Sequence, residues 1–400
     1  MLSKITVSPA PHISHPLSTR GVMLDVIIGL TPALAAAIWF FRMQAVGVVV
    51  TCVAACMGFE WLCNVIRKKP GSLGDLSAVV TGLILAFSLP PAIPLWAVVI
   101  GSGFAIVITK MLFGGLGSNV FNPAMAARVF LTASFGSLMT TWTVPATLGD
   151  VNYQGSDQLR TMATVDIENV YEGKGLSAVT QATPLYWSKQ VIRAEKKAAE
   201  AAAKRDGLQA QLAALPEEAA TDSLREKVAT EQAKYEKAKA EATAAYGTFG
   251  GLVKASFWGH VGGCLGETSA LALLIGGVYL LIRRTISLHI PLAVLIAAFV
   301  FAEIFYLINP DKYSTPLLQL FGGGMLLCVF FIATDPVTAP LTPKGMWLFG
   351  LGVGALIMLI RFLGEYPEGV MYAVLIMNAV SPLIDRACKW IPAGGKPHVQ

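Results

Sequence analysis

Eight ionisable side chains stand in or beside long apolar stretches: Asp25, Glu60, Asp75, Arg128, Glu267, Glu303, Asp335 and Asp385. A charge in apolar surroundings is costly, so such residues default to roles in moving ions or protons, unless a helix end or water satisfies them. Asp25, Asp75, Glu267 and Asp385 fall at the ends of their stretches, where that satisfaction is available, whereas Asp335 and Glu303 lie further inside. Asp335, Glu303, Glu267 and Asp75, with the amide of Asn122 beside Pro123, form the candidate ion path. A second polar element is the small-residue run Leu176 to Leu185, whose hydroxyls include Thr180 and Thr183; on spacing alone Thr183-Pro184 is an ordinary turn. No serine, histidine and acid cluster in sequence as a hydrolase would need, and no catalytic residue or metal-ligand set is assigned. The six cysteines contain no CxxC pair and read as small apolar packing residues; a structural disulfide, or an iron–sulfur site shared with a partner, is the alternative.

The elements that must hold these groups belong to a membrane. Hydrophobic residues make up 54% of the 400-residue chain and charged residues 14%, against about 25% charged in a soluble protein. Even that charge is uneven: residues 189–245 hold 11 of the 30 Lys+Arg and 10 of the 25 Asp+Glu. A soluble enzyme, a disordered chain and a nucleic-acid binder are thereby excluded, the net charge of +5 forming no basic stripe. A bilayer core needs about 20 apolar residues per helix. Ten spans are predicted, at 21–41, 45–66, 75–90, 92–112, 119–139, 266–282, 289–308, 319–334, 345–363 and 368–387. Those at 75–90, 266–282 and 319–334 are short and rich in glycine, which predicts broken or half-spanning helices. The polar stretch Met1 to Arg20 does not read as a signal peptide.

Basic residues orient the spans. Twelve (Lys4, Arg20, Arg67, Lys68, Lys69, Lys110, Arg283, Arg284, Lys344, Arg386, Lys389 and Lys396) fall in one set of ends and short loops, against three (Arg42, Lys312 and Arg361) in the other. Both termini are therefore expected on the cytoplasmic side of a bacterial inner membrane, with the long loop outside. The organisation reads as a cytoplasmic N-terminus (1–20), a first membrane half (21–139), an extracytoplasmic loop (140–256), a second membrane half (257–387) and a cytoplasmic tail (388–400).

Four landmarks recur in order. Leu73-Gly74-Asp75-Leu76-Ser77-Ala78 matches Leu265-Gly266-Glu267-Thr268-Ser269-Ala270, and Ile93-Pro94-Leu95 matches Ile290-Pro291-Leu292. Gly114-Gly115 then matches Gly322-Gly323, and Asn122-Pro123 matches Asp335-Pro336. The copies are three spans apart, so they enter the membrane from opposite sides, as in inverted-topology repeats whose sites lie between the halves beside interrupted helices. Within the long loop, 188–246 is alanine-rich with alternating Lys and Glu and is broken at Leu215-Pro216, which predicts a helical hairpin; its second helix starts at Pro216 or Ser223. The hairpin reads as a solvated spacer, with docking to a neighbouring protein of a larger assembly as the alternative. The predicted fold is therefore all-α and polytopic, about ten transmembrane helices with an internal repeat, plus this insertion.

Several motifs carry a resemblance. They are Ser8-Pro9 through Leu24-Asp25, Gly114-Gly115-Leu116-Gly117-Ser118-Asn119 with Asn122-Pro123-Ala124-Met125-Ala126-Ala127-Arg128, and Gly266-Glu267-Thr268-Ser269-Ala270. Ala333-Thr334-Asp335-Pro336-Val337-Thr338, Thr342-Pro343-Lys344-Gly345 and Tyr366-Pro367-Glu368-Gly369-Val370-Met371, running to Asn378, complete the set. In this order they resemble the RnfD family, the D subunits of Rnf-type ion-translocating oxidoreductase complexes, related to the NqrB component of the sodium-pumping NADH:quinone oxidoreductase. The resemblance covers nearly all of the chain outside 188–246. It implies a protein relaying electrons between ferredoxin and NAD with coupled Na⁺ or H⁺ transport. It also implies FMN joined through its phosphate to a threonine, in segment 177–185. Thr183 of Thr180-Gln181-Ala182-Thr183 occupies that place, with Thr180, Ala182 and Pro184 around it; Gln181 stands where the family has a small residue and Ser177 where an acidic one is common. A second, non-covalent flavin (riboflavin), a flavin transferase for maturation and the other subunits of the complex are further implications. A membrane protein without iron–sulfur motifs carries electrons only with an added cofactor, and FMN passes one electron or two. The rival reading, from another class, is a passive channel or transporter for a small polar solute, which an inverted repeat would serve equally well; a scaffold without flavin is a third.

Overall fold

Caps, prolines and glycines decide where the apolar runs become helices. The computed structural model describes residues 18–140, 184–213, 222–246, 249–259, 262–309, 313–364 and 368–388, and every regular element among them is helical. Helix α1 runs Thr19–Ile66 from the cap Ser18, but Arg42 sits at φ 53, ψ −132, so the two predicted spans on either side of it are two arms of one broken helix. An unbroken helix of 48 residues would measure about 72 Å, more than twice the bilayer core. Helix α2, Ser77–Phe87, is 11 residues long, about 16 Å and so half a membrane. Helix α3 spans Leu95–Met111 and widens into a π-helical stretch at Phe104–Met111. Helix α4, Pro123–Ser134, starts where the Asn122 side chain accepts from the amides of Ala124 and Met125 with proline in the first turn. It covers only the middle of the span expected at 119–139.

The inserted helices α5 (Pro184–Ala213) and α6 (Asp222–Tyr246) pack together, with the Arg205 guanidinium 4.2 Å from the Tyr235 ring centre. Thr183, Thr180 and Ala182 lie outside the described residues. The second inserted helix takes up at Asp222, and Leu215-Pro216 lies outside as well. Then follow α7 (Phe249–Trp258), α8 (Ala270–Ile282, capped by Ser269) and α9 (His289–Ile308). The run expected at 319–334 is split: α10 (Pro316–Phe321) ends at Gly322, and α11 (Met325–Leu327) continues as a π-helical segment, Cys328–Ile332. Helices α12 (Pro343–Leu363) and α13 (Val370–Ala387) close the bundle. Among the described residues four helices, α1, α9, α12 and α13, are long and apolar enough to cross a membrane. Exposed Trp39, Val50, Ile275, Phe299, Leu348 and Ile376 lie on the outside of the bundle, where a bilayer would cover them.

Small residues bring the backbones together, as expected where no water drives association. Gly29 of α1 and Gly276 of α8 meet backbone to backbone, so that a Cβ added at Gly276 collides with the Gly29 carbonyl oxygen. Gly82 lets α2 press on the backbone of Cys52 and Val53, and Gly350 and Gly354 do the same for α12 against α9. The loop before α8 docks on the end of α2: the amides of Leu265 and Gly266 donate to the carbonyls of Leu89 and Phe87 at 3.1 and 2.9 Å. All six cysteines are free thiols, four of them buried. Gly276→Val is expected to destabilise the protein by about 3 kcal/mol or more through overpacking against the Gly29 backbone, visible as a lower melting temperature in detergent, whereas Gly115→Ala, where nothing stands in the way but φ is +109, loses about 1–3 kcal/mol through backbone strain alone.

Candidate functional site

One cleft is lined by α1, α2, α3, the 116–124 segment, the turn after α8 and the end of the α11 segment. Its polar groups include Ser77, Lys110, Asn119, Asn122, Thr334 and Asp335, and its apolar walls include Val80, Ile84, Phe330 and Phe331. Lys110 is the charged centre. It lies on the π-helical stretch of α3, a local widening that recurs at functional sites because it re-aims side chains. Its ammonium, 2% exposed, donates to Glu60 Oε2 at 2.7 Å and to Ser77 Oγ at 2.6 Å. That uses two of its three donors. Glu60 in turn accepts from Ser72 Oγ at 2.5 Å, and Ser72 from Asn64 at 2.8 Å. Ser77 is placed by Asp75, whose carboxylate accepts from both the Ser77 amide (2.8 Å) and hydroxyl (2.6 Å); Leu76 between them adopts φ 65 to allow it.

The rim of the cleft is built from turns. Asn122 spends its side-chain oxygen on the amides of Ala124 and Met125 and offers its own amide to the Asn378 side chain of α13 at 3.1 Å, with that side chain oriented to satisfy both its groups. Asp335 accepts from the Val337 amide and the Thr338 hydroxyl, both at 3.2 Å. Beside the cleft, Asp25 holds the end of α8, accepting from Tyr279 (3.2 Å), Arg283 (3.2 Å) and Thr285 (2.9 Å).

A second polar cluster sits at the other end of α8. Arg128 of α4 donates to Glu267 Oε1 at 3.2 Å, to Cys264 Sγ at 3.3 Å and to Glu368 Oε2. Arg361 of α12 donates to the carbonyls of Gln319 (2.5 Å) and Gly322 (3.0 Å) and to Gln319 Oε1 (3.3 Å), using oxygens freed at the break between α10 and α11.

The residues expected to form one ion path are thus divided. Asn122 and Asp335 share the cleft, Asp75 stands behind it as the group that sets Ser77, and Glu267 belongs to the Arg128 cluster. Glu303 is half-buried on α9 and lines neither. Lys110 and Glu368 are not among the residues the sequence singles out as an ion path. Lys110 reads there only as a basic loop end, and its position inside an apolar run, with Glu60 and Ser77 in neighbouring runs, is the available signal. Glu368 stands in a motif with nothing to mark its charge as buried.

Removing one partner of a buried ion pair strands the other charge, at about 3–5 kcal/mol. Lys110→Met is therefore expected to lower thermal stability by that order, and Lys110→Met with Glu60→Gln to recover most of the loss. A double mutant no more stable than the single one would show that Glu60 is held by other groups.

Comparison with known proteins agrees with this architecture. Residues 6–394 match the NQR2, RnfD, RnfE family. The D subunit of the Na⁺-translocating ferredoxin:NAD⁺ oxidoreductase complex of Acetobacterium woodii is 36% identical over 386 residues, covering 96% of this chain and 94% of that protein. The D subunit of the ion-translocating oxidoreductase complex of Shewanella amazonensis is 36% identical, covering 95% of each chain. The D subunit of the proton-translocating ferredoxin:NAD⁺ oxidoreductase complex of Clostridium ljungdahlii is 33% identical, covering 95% of this chain and 93% of that one. With matches of this length on top of an all-helical bundle with membrane-length helices, the chain belongs to the NQR2, RnfD, RnfE family.

Proposed function

We propose that this chain is the D subunit of an Rnf-type complex, a multi-pass protein of a bacterial inner membrane that relays electrons between ferredoxin and NAD while Na⁺ or H⁺ is moved. The observation that carries the reading is the near full-length likeness to proteins so named. It favours redox work over a passive channel, since those relatives are named as parts of oxidoreductases. The electron carrier is FMN esterified to Thr183, on the strength of the Thr180-Gln181-Ala182-Thr183-Pro184-Leu185 segment that leads into α5. Attachment requires a flavin transferase as maturation partner.

The lining of the cleft matches the chemistry of the second, non-covalent flavin, although its volume of about 70 Å³ is smaller than the ~150 Å³ that holds a benzene, so the walls must part to admit the ring system. An isoalloxazine has a hydrocarbon edge and a polar edge bearing hydrogen-bond acceptors and one N–H donor. The aromatic and branched walls match the first, and Asn119, Thr334 and the Lys110 ammonium match the second. What the flavin supplies is redox chemistry; what the chain supplies is a dry wall, directed donors and a fixed positive charge. Asn122 and Asp335 at the rim, with Asp75 behind, remain ion-path candidates on this reading.

Ten spans, with both termini inside and the insertion outside, fit the contacts. Asp25 meets Arg283, Arg67 donates to the Met111 carbonyl at 2.7 Å, and the Leu341 amide donates to Asp385 at 3.1 Å. Each contact joins segments that the basic-residue count assigns to one side. The short helices α2 and α8, of 11 and 13 residues, each start at the end of one copy of the first matched landmark, which supports an inverted repeat.

Co-expressed with its flavin transferase, the wild-type protein is expected to give a band that fluoresces under ultraviolet light after full denaturation, and Thr183→Ala a dark one. The dark variant still releases flavin on denaturation, from the cleft. A dark wild-type band would refute the covalent carrier, and a fluorescent variant would move the attachment away from Thr183.

A further inference from the structure

The Arg128 cluster leaves two carboxylate oxygens unpaired, and Nε of Arg128 and of Arg361 as well. A thiol sulfur (Cys264) and one carboxylate oxygen from each of Glu267 and Glu368 lie within 4.8 Å of one another. Arg128 engages Oε1 of Glu267 and Oε2 of Glu368. Glu267 Oε2 and Glu368 Oε1 are buried and have no hydrogen-bond partner, and Glu267 is only 4% exposed. A buried carboxylate oxygen left unpaired costs about 1–3 kcal/mol or more, so two such atoms at one place form an anionic pair able to hold a cation. Glycines at 263 and 324 let the backbone come close to Glu267, where a Cβ would stand 3.7 Å from Oε2 and 3.1 Å from Oε1.

Two carboxylates face two guanidinium groups, so the cluster is neutral overall, but only Arg128 bonds to the carboxylates. The charged and titratable groups facing the pair are Arg128 from α4, Arg361 from α12 and Cys264 from the loop before α8, with Cys328 beyond Arg361. Arg361 gives its donors to Gln319 and Gly322 rather than to either carboxylate, so it adds positive potential without reaching the unpaired oxygens.

We propose that Glu267 and Glu368 together bind one small monovalent cation, H⁺ or Na⁺, through the two oxygens that Arg128 leaves unpaired. The proposal rests on the reading of this chain as part of a redox-driven ion translocase and assigns the ion a station there. As a proton, the charge sits on a carboxylate oxygen and is shared across the pair; as sodium, it is coordinated by both oxygens. Arg128 positions the two side chains, and the potential of Arg361 keeps the affinity low enough for release. Because Arg128 comes from the first half and both glutamates from the second, occupancy alters the attraction between the halves.

The test uses the whole complex in proteoliposomes, with redox-driven uptake of radioactive sodium and internal acidification read separately. Glu267→Gln and Glu368→Gln are expected to keep assembly and flavin fluorescence but to raise the half-saturating cation concentration about tenfold, the effect of losing one charged contact. A shift in sodium dependence at fixed pH identifies sodium, and a shift in the pH profile identifies the proton. Glu368→Asp recovers part of the effect. Wild-type dependence on both cations in the glutamine variants overturns the station while leaving the translocase reading intact; a wild-type complex that moves no ion removes both. Should the variants fail to assemble, infrared difference spectra of the wild-type complex decide. A carboxylate band that responds to sodium or pH, and shifts in frequency on conversion of Glu368 to Asp, supports the station, and its absence overturns it.

Discussion

Inside an apolar bundle a guanidinium or ammonium has only the protein to answer it, and this constraint organises the structure. Lys110 can be buried because Glu60 of α1 and Ser77 of α2 reach it, which ties α3 to both. Arg128 can be buried because Glu267, Cys264 and Glu368 converge on it, which ties α4 to the starts of α8 and α13. Arg361 is buried where the break between α10 and α11 leaves carbonyls free. A paired buried charge adds little net stability, because desolvation offsets the attraction. Its effect is on uniqueness: any arrangement that separates the partners leaves a charge with no water to take it. The glycine contacts at Gly29, Gly276 and Gly82 serve the same end, since the backbones must approach closely for the side chains to meet.

What is legible in the residues is local, and what they hide is long-range. The spans expected to begin at 119, 266 and 345 begin in the structure at Pro123, Ala270 and Pro343, two to four residues away, where Asn122, Ser269 and Thr342 cap them. The glycines at 322–324 announce a break, and the helix breaks. The unusual charges are visible as unusual. Their pairing is not, because Arg128 is 139 residues from Glu267 and 240 from Glu368, and no periodicity links such positions. The π-helical turn of Phe104–Met111 is equally silent in sequence, an apolar run that reads as ordinary helix, yet it decides which way Lys110 faces. Asp335 reads as deep because the preceding residues are apolar; its carboxylate is in fact occupied by the turn it caps. Thr183 is legible only through resemblance, since its own neighbourhood spells an ordinary turn.

The cleft and the Arg128 cluster lie at the two ends of α8. Thr285, just past its C-terminus, lines the cleft, and Glu267, just before its N-terminus, pairs with Arg128. The 13 residues between them set a separation of about 20 Å. Energetic coupling over such a distance needs an element with two arrangements that both sites bias. Helix α8 is suited to be that element. Asp25 grips one end through Tyr279, Arg283 and Thr285, and Arg128 grips the other. Between the grips, Gly276 rides on the Gly29 backbone and Gly277 on the Phe330 ring, with no room for a side chain to give way. A rod held in this manner couples its two ends only by moving as a unit. On the proposed reading, a change of charge in the cleft beside Phe330 and a change of occupancy at Glu267 therefore act on the same rigid body. Redox state and cation binding are then linked through the position of α8, and by reciprocity each alters the affinity of the other site.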